Sequence, residues 1–100
     1  MKQRPELELN YMKRLSTSDY YFEVWVRSTA RPDVKQGTIV ERGPQERRNL
    51  AIAAGALAES LCEKYGDDRD PTSAAVLAEE TYDRMLRSNP IPQVGDERPL

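Results

Sequence analysis

The chain has 100 residues, of which 38% are hydrophobic and 32% are charged, so it can form one small domain around a single core. It has no histidine, the commonest general base and zinc ligand, and its one cysteine, Cys62, excludes a disulfide within the chain. The net charge of −2 divides into +2 over residues 1–42 and −4 over residues 43–100, a balance that argues against a duplex-DNA binder that neutralises phosphates.

Two segments with alternating hydrophobicity open the chain. From Leu7 to Leu15, four of the five odd-numbered positions are apolar. From Tyr20 to Arg27, aromatic and β-branched residues fill one face with the same period of two. This alternation is typical of strands, and the turn-forming residues 16–19 between the segments predict an antiparallel hairpin.

The length of this turn predicts the hairpin register. A four-residue loop places Tyr11 opposite Val24 on the apolar face and Glu8 opposite Arg27 on the other face. In this register apolar residues meet apolar residues, and a pair of opposite charges forms. A slip by one residue would move every side chain to the wrong face.

Two helices are predicted in the second half of the chain. Pro44 follows a capping glycine, and the first helix is expected to run from there to about Tyr65, with Gly66 ending it. Pro71 follows an aspartate and begins a second helix that reaches about Ser88.

These elements define an α+β fold class. Between the hairpin and the helices, residues 30–37 are expected to form a loop and residues 38–41 a short edge strand. We predict an antiparallel β-hairpin or three-stranded sheet followed by two helices packed on one face, in the order ββ(β)αα. The domain spans residues 1–88, and three prolines and a glycine in residues 89–100 predict an extended C-terminal tail.

The second face of the hairpin is the candidate contact surface. It is rich in residue types that dominate protein interfaces, and the predicted partner-binding residues are Met12, Arg14, Tyr21, Trp25 and Arg27. Two alternatives remain open at this stage. A helix, the tail or a second copy could cover this face, or its aromatic and arginine side chains could stack on unpaired bases of a single-stranded nucleic acid.

A stripe of small residues runs along the first predicted helix, formed by Ala51, Gly55, Ala58 and Cys62. Small side chains let another backbone approach closely. The stripe therefore either packs against the sheet or the second helix, or it forms the seam of a homodimer.

Motifs for catalysis or metal binding are missing from the sequence. It contains no phosphate-binding glycine loop and no nucleophile elbow, and no pair of carboxylates is marked for acid–base work. Residues 68–79 match some acidic positions of a calcium-binding loop, but Ser73 stands where that loop needs glycine. We therefore expect no enzymatic activity, no bound metal and no cofactor.

No apolar run reaches transmembrane length, and the first residues lack the apolar core of a signal peptide. The expected location is the cytoplasm, with no membrane partner. The sequence favours a non-enzymatic module that binds another protein, such as an inhibitor or adaptor of the kind that phages encode. A single-stranded nucleic-acid-binding protein is the alternative.

Overall fold

Three strands are followed by two helices along the chain. The computed structural model describes residues 7–13 and 20–88. The elements are β1 (Leu7–Lys13), β2 (Tyr20–Arg27), β3 (Lys35–Glu41), α1 (Glu46–Tyr65) and α2 (Pro71–Ser88). This confirms the predicted α+β class and the three-stranded form of the sheet. The predicted tail, residues 89–100, lies outside the described residues.

The strands form one antiparallel sheet in the order β1-β2-β3. Its hairpin register differs from the prediction, because six residues rather than four separate β1 from β2. Tyr11 lies opposite Phe22 and not opposite Val24. Because the shift is an even number of residues, every position keeps its predicted face of the sheet.

The hydrophobic core lies between one face of the sheet and the two helices. Phe22, Val24 and Val26 of β2 are fully buried there. The helices contribute mainly leucine and alanine to this layer, namely Leu50, Ala54, Ala58 and Leu61 of α1 and Ala74 and Ala78 of α2. The small alanine side chains bring the helices close to each other and to the sheet.

Local signals set the helix boundaries. Gly66 ends α1 with a positive φ of 72°, a conformation that costs glycine little, and its N–H bonds to the Cys62 carbonyl. Asp70 caps α2, since its carboxylate accepts a hydrogen bond of 3.2 Å from the Thr72 N–H. Pro71 is the first residue of α2, as the sequence predicts.

The connection between β2 and β3 is held by a buried carboxylate from the loop between the helices. Asp67 accepts hydrogen bonds from the Ser28 hydroxyl at 2.6 Å and from the N–H groups of Thr29 at 2.9 Å and Ala30 at 3.2 Å. Burial alone would raise the pKa of Asp67, but these bonds outweigh it and lower the pKa. The bonds fix the loop from which β3 begins.

A second buried network joins the start of α1 to α2. The Glu46 carboxylate accepts hydrogen bonds from the Arg42 guanidinium, the Gly43 N–H and the Tyr82 hydroxyl. Burial would raise the pKa of Glu46, but these donors and the Arg42 charge lower it. Burial and the bond to Glu46 raise the pKa of Tyr82 to about 12.

Candidate functional site

One face of the sheet is not covered by any described helix. Side chains alternate along β2, so that Phe22, Val24 and Val26 point into the core while Tyr21 and Trp25 point the other way and are half-buried. Both helices pack on the core side. We call the opposite side the outer face. It comprises Tyr21, Glu23, Trp25 and Arg27 of β2 with Glu8 and Asn10 of β1 and Lys35, Gly37, Ile39 and Glu41 of β3.

The Trp25 indole lies flat across Gly37, its partner in the neighbouring strand. A Cβ atom on Gly37 would come within 2.6 Å of two indole ring carbons, so any larger residue would push the ring away. The indole N–H donates a hydrogen bond of 3.0 Å to Glu23 Oε1. Trp25 is therefore held in one position on the outer face, with part of its ring open to solvent.

The charges around Trp25 are paired with one another. Lys35 Nζ lies 5.2 Å from the centre of the indole ring and 3.4 Å from Glu8 Oε2. Glu8 lies opposite Trp25 rather than opposite Arg27, which corrects the predicted register, yet its carboxylate still reaches the Arg27 guanidinium at 3.7 Å. Arg27 also donates a hydrogen bond of 2.7 Å to the Pro32 carbonyl. These contacts place two cations and a carboxylate next to the indole.

Two further side chains extend the apolar area. Ile39 of β3 is 58% exposed, the largest apolar exposure on the described part of the sheet. Tyr21 lies at the other end of β2, opposite Glu41. The outer face thus combines three large hydrophobic or aromatic side chains with two cations and three carboxylates.

The structure brings together three of the five predicted partner-binding residues, Tyr21, Trp25 and Arg27. Met12 occupies the strand position opposite Tyr21, but its side chain lies outside the described residues. Arg14 also lies outside them. Its place relative to the outer face stays a prediction.

The stripe of small residues on α1 faces α2 of the same chain. A Cβ atom on Gly55 would lie 3.4 Å from the Pro71 carbonyl oxygen and 3.8 Å from Ala75 Cβ. Ala58 is 1% exposed. The Cys62 thiol donates to the Arg69 carbonyl at 3.1 Å, and burial raises its pKa. Gly55, Ala58 and Cys62 therefore pack within the chain, and Ala51 is half-buried. A homodimer seam along this stripe stays a prediction.

Three acidic side chains in and next to the helices stabilise the fold through hydrogen bonds or ion pairs. Asp70 caps α2, and Glu79 and Asp83 bind Arg47 across the helix pair at 3.1 and 2.9 Å. Within residues 7–13 and 20–88, no group of three or more acidic or cysteine side chains is placed to hold a metal ion. No helix in the same ranges is both long and apolar enough to cross a membrane.

Three β3 residues of the outer face were not predicted as site residues. Lys35 and Gly37 were assigned to the loop of residues 30–37, and Ile39 was assigned to the edge strand of residues 38–41 but not to the contact surface. The structure begins β3 at Lys35 and so adds Gly37 to the site. Only the register between β2 and β3 places Gly37 against Trp25, and no local pattern in the sequence gives that register. Comparison with protein families, curated proteins and solved structures found no match to the chain.

Proposed function

We propose that this protein is a non-enzymatic module that binds another protein through its outer face. The observation that carries the proposal is the Trp25 indole lying across Gly37 on a sheet face that no described helix covers. A tryptophan held in one position loses little conformational entropy when a partner packs on it. Such a module acts by occupying its partner's surface, as an inhibitor or an adaptor does.

The distribution of polar and apolar groups on the outer face fits a protein partner. Trp25, Tyr21 and Ile39 offer apolar contact, and charged side chains border them. Binding hot spots in protein interfaces have a similar arrangement, in which aromatic anchors are surrounded by polar residues that exclude water.

The same face is poorly suited to nucleic acid. Three carboxylates, from Glu8, Glu23 and Glu41, lie on it and would repel phosphates. The Lys35 and Arg27 cations both pair with Glu8. Phosphate binding would have to break these pairs, so we favour a protein over a single-stranded nucleic acid.

Capture experiments with matched variants test this proposal. The tagged protein should retain a specific protein from an extract of its source cells, and Trp25→Ala should lose that protein. Ile52→Ala is the matched control, because Ile52 is a similarly exposed hydrophobic side chain (59%) on α1. It should capture as the unmodified chain does. Circular dichroism must show both variants folded, and equal capture by folded Trp25→Ala would refute the proposal.

Titration with single-stranded oligonucleotides distinguishes protein binding from the alternative, which is binding of single-stranded nucleic acid. Trp25 is the only tryptophan, so its fluorescence reports directly on base stacking at the outer face. We expect no quenching at low salt. Quenching that weakens as salt is added would replace the protein-binding proposal with the nucleic-acid one.

A further inference from the structure

The outer edge of β3 has no pairing partner among residues 7–13 and 20–88. β3 is the last strand of the sheet, and no described strand pairs with its second edge. Five of its seven residues are exposed: Lys35, Gly37, Thr38, Ile39 and Glu41. An unpaired strand edge presents N–H and C=O groups that can extend a sheet into another chain.

The hydrogen bonds at the start of β3 show which residues present those groups. The Ser28 N–H donates to the Val34 carbonyl at 2.9 Å, and this pair continues the register of β2 and β3. Bonded and non-bonded pairs alternate in an antiparallel ladder, so the even-numbered residues of β3 bond to β2. The odd-numbered residues, 35 to 41, therefore direct their backbone N–H and C=O groups outwards.

The sequence of β3 is complementary to itself when two copies run antiparallel about Thr38. Lys35 of each copy then lies opposite the other copy's Glu41, so each lysine stands between Glu8 of its own chain and the second copy's Glu41. Gly37 lies opposite the second copy's Ile39, so that the exposed Ile39 side chain comes next to the Trp25 indole that crosses Gly37. The odd-numbered residues meet as hydrogen-bonded pairs, which agrees with their outward direction.

Moving the two-fold axis from Thr38 to Ile39 removes the pairing of opposite charges. An axis through Ile39 would place Lys35 opposite Gly43 and Glu41 opposite Gly37, so neither charge would meet its opposite. Among the described residues Glu41 has no ion-pair partner within its own chain. The second copy's lysine would supply one.

We propose that two copies of this chain associate through β3, antiparallel about a two-fold axis at Thr38, and so form a six-stranded sheet. The outer faces of the two copies become one continuous surface that presents Trp25 twice. The contact is isologous, since each copy offers the same edge, and it closes the assembly at two chains. The inference concerns the edge of the sheet and does not depend on the function proposed for its face.

Charge reversal with mixing tests this dimer. Light scattering on a size-exclusion column should give the mass of two chains at high concentration. Lys35→Glu alone and Glu41→Lys alone should each raise the dissociation constant about tenfold or more, because like charges then face each other. An equimolar mixture of the two variants should recover the dimer, since opposite charges meet again at both ends.

Recovery in the mixture also controls for the role of Lys35 beside Trp25 in its own chain, because a damaged fold would not be repaired by mixing. A strictly monomeric wild-type chain at high concentration would overturn the proposal. A wild-type dimer that both charge reversals leave intact would equally overturn it, because the seam would then lie elsewhere.

A disulfide tests the register. With Cys62→Ser as background, Thr38→Cys places two thiols opposite each other in a non-hydrogen-bonded pair, where the Cα separation suits a disulfide. Oxidised glutathione should convert this variant to a covalent dimer. Gln36→Cys is the matched control, because residue 36 meets Val40 rather than itself. Faster cross-linking of Gln36→Cys than of Thr38→Cys would contradict the axis.

Discussion

The contact between Trp25 and Gly37 explains why a glycine stands in the middle of β3, where it weakens a strand. Without a side chain at residue 37, the indole can lie against the backbone of the neighbouring strand. The sequence alone places Trp25 on the correct face by its alternation with the core residues. It could not supply Gly37, since that requires the register between β2 and β3.

Gly37→Ala should displace the indole. The new methyl group would overlap the ring, so we expect the Trp25 emission to shift to longer wavelength and the free energy of unfolding to fall by about 1 kcal/mol. Gly43→Ala is the matched control, since no atom lies within 4 Å of a Cβ atom there. Fluorescence and urea unfolding measure both effects. An unchanged spectrum for Gly37→Ala would show that the indole does not lie on Gly37.

At the scale of the elements, helix ends and strand faces follow from local sequence signals. The strand register and the contacts between helices do not. Gly66 ends α1 because glycine adopts a positive φ at little cost. Pro71 begins α2 because the fixed φ of proline suits the first helical position. The hairpin register was wrong by two residues because alternation is equally satisfied by any even shift. The link between Glu46 and Tyr82 was not predicted either, because it joins two helices whose packing no local pattern defines.

Replacing Tyr82 with phenylalanine tests that link. The variant loses a hydrogen bond to a buried carboxylate, so we expect about 1–2 kcal/mol less stability at neutral pH. The pKa of Tyr82 is raised from 10.0 to about 12 in the folded state. The raised pKa means that this stabilisation is complete below pH 10 and is lost as the pH rises towards 12.

The stability difference between wild type and Tyr82→Phe should therefore narrow from pH 10 to 12. Urea unfolding of both proteins at matched pH values measures it. A difference that stays constant over this range would mean that Tyr82 is not held neutral by its surroundings in the folded protein.

For the whole molecule, the packing of both helices on one side of the sheet decides which side chains are left for contact with a partner. Both helices pack on one side of three strands, which leaves the outer face without a described covering element. The sequence alone identified Tyr21, Trp25 and Arg27 of this face but not its β3 residues, and it could not decide whether the face is covered, since that depends on where the helices pack. We therefore propose the outer face and the β3 edge as two separate contact surfaces on one small domain.

Trp25 is accessible on the outer face, and collisional quenching of its fluorescence by acrylamide tests this accessibility most directly. Because Trp25 is the only tryptophan, the signal has a single source. We expect substantial quenching of the folded protein, with a rate constant within severalfold of that in urea. Emission at short wavelength with almost no quenching would show that the indole is enclosed, and it would contradict the account.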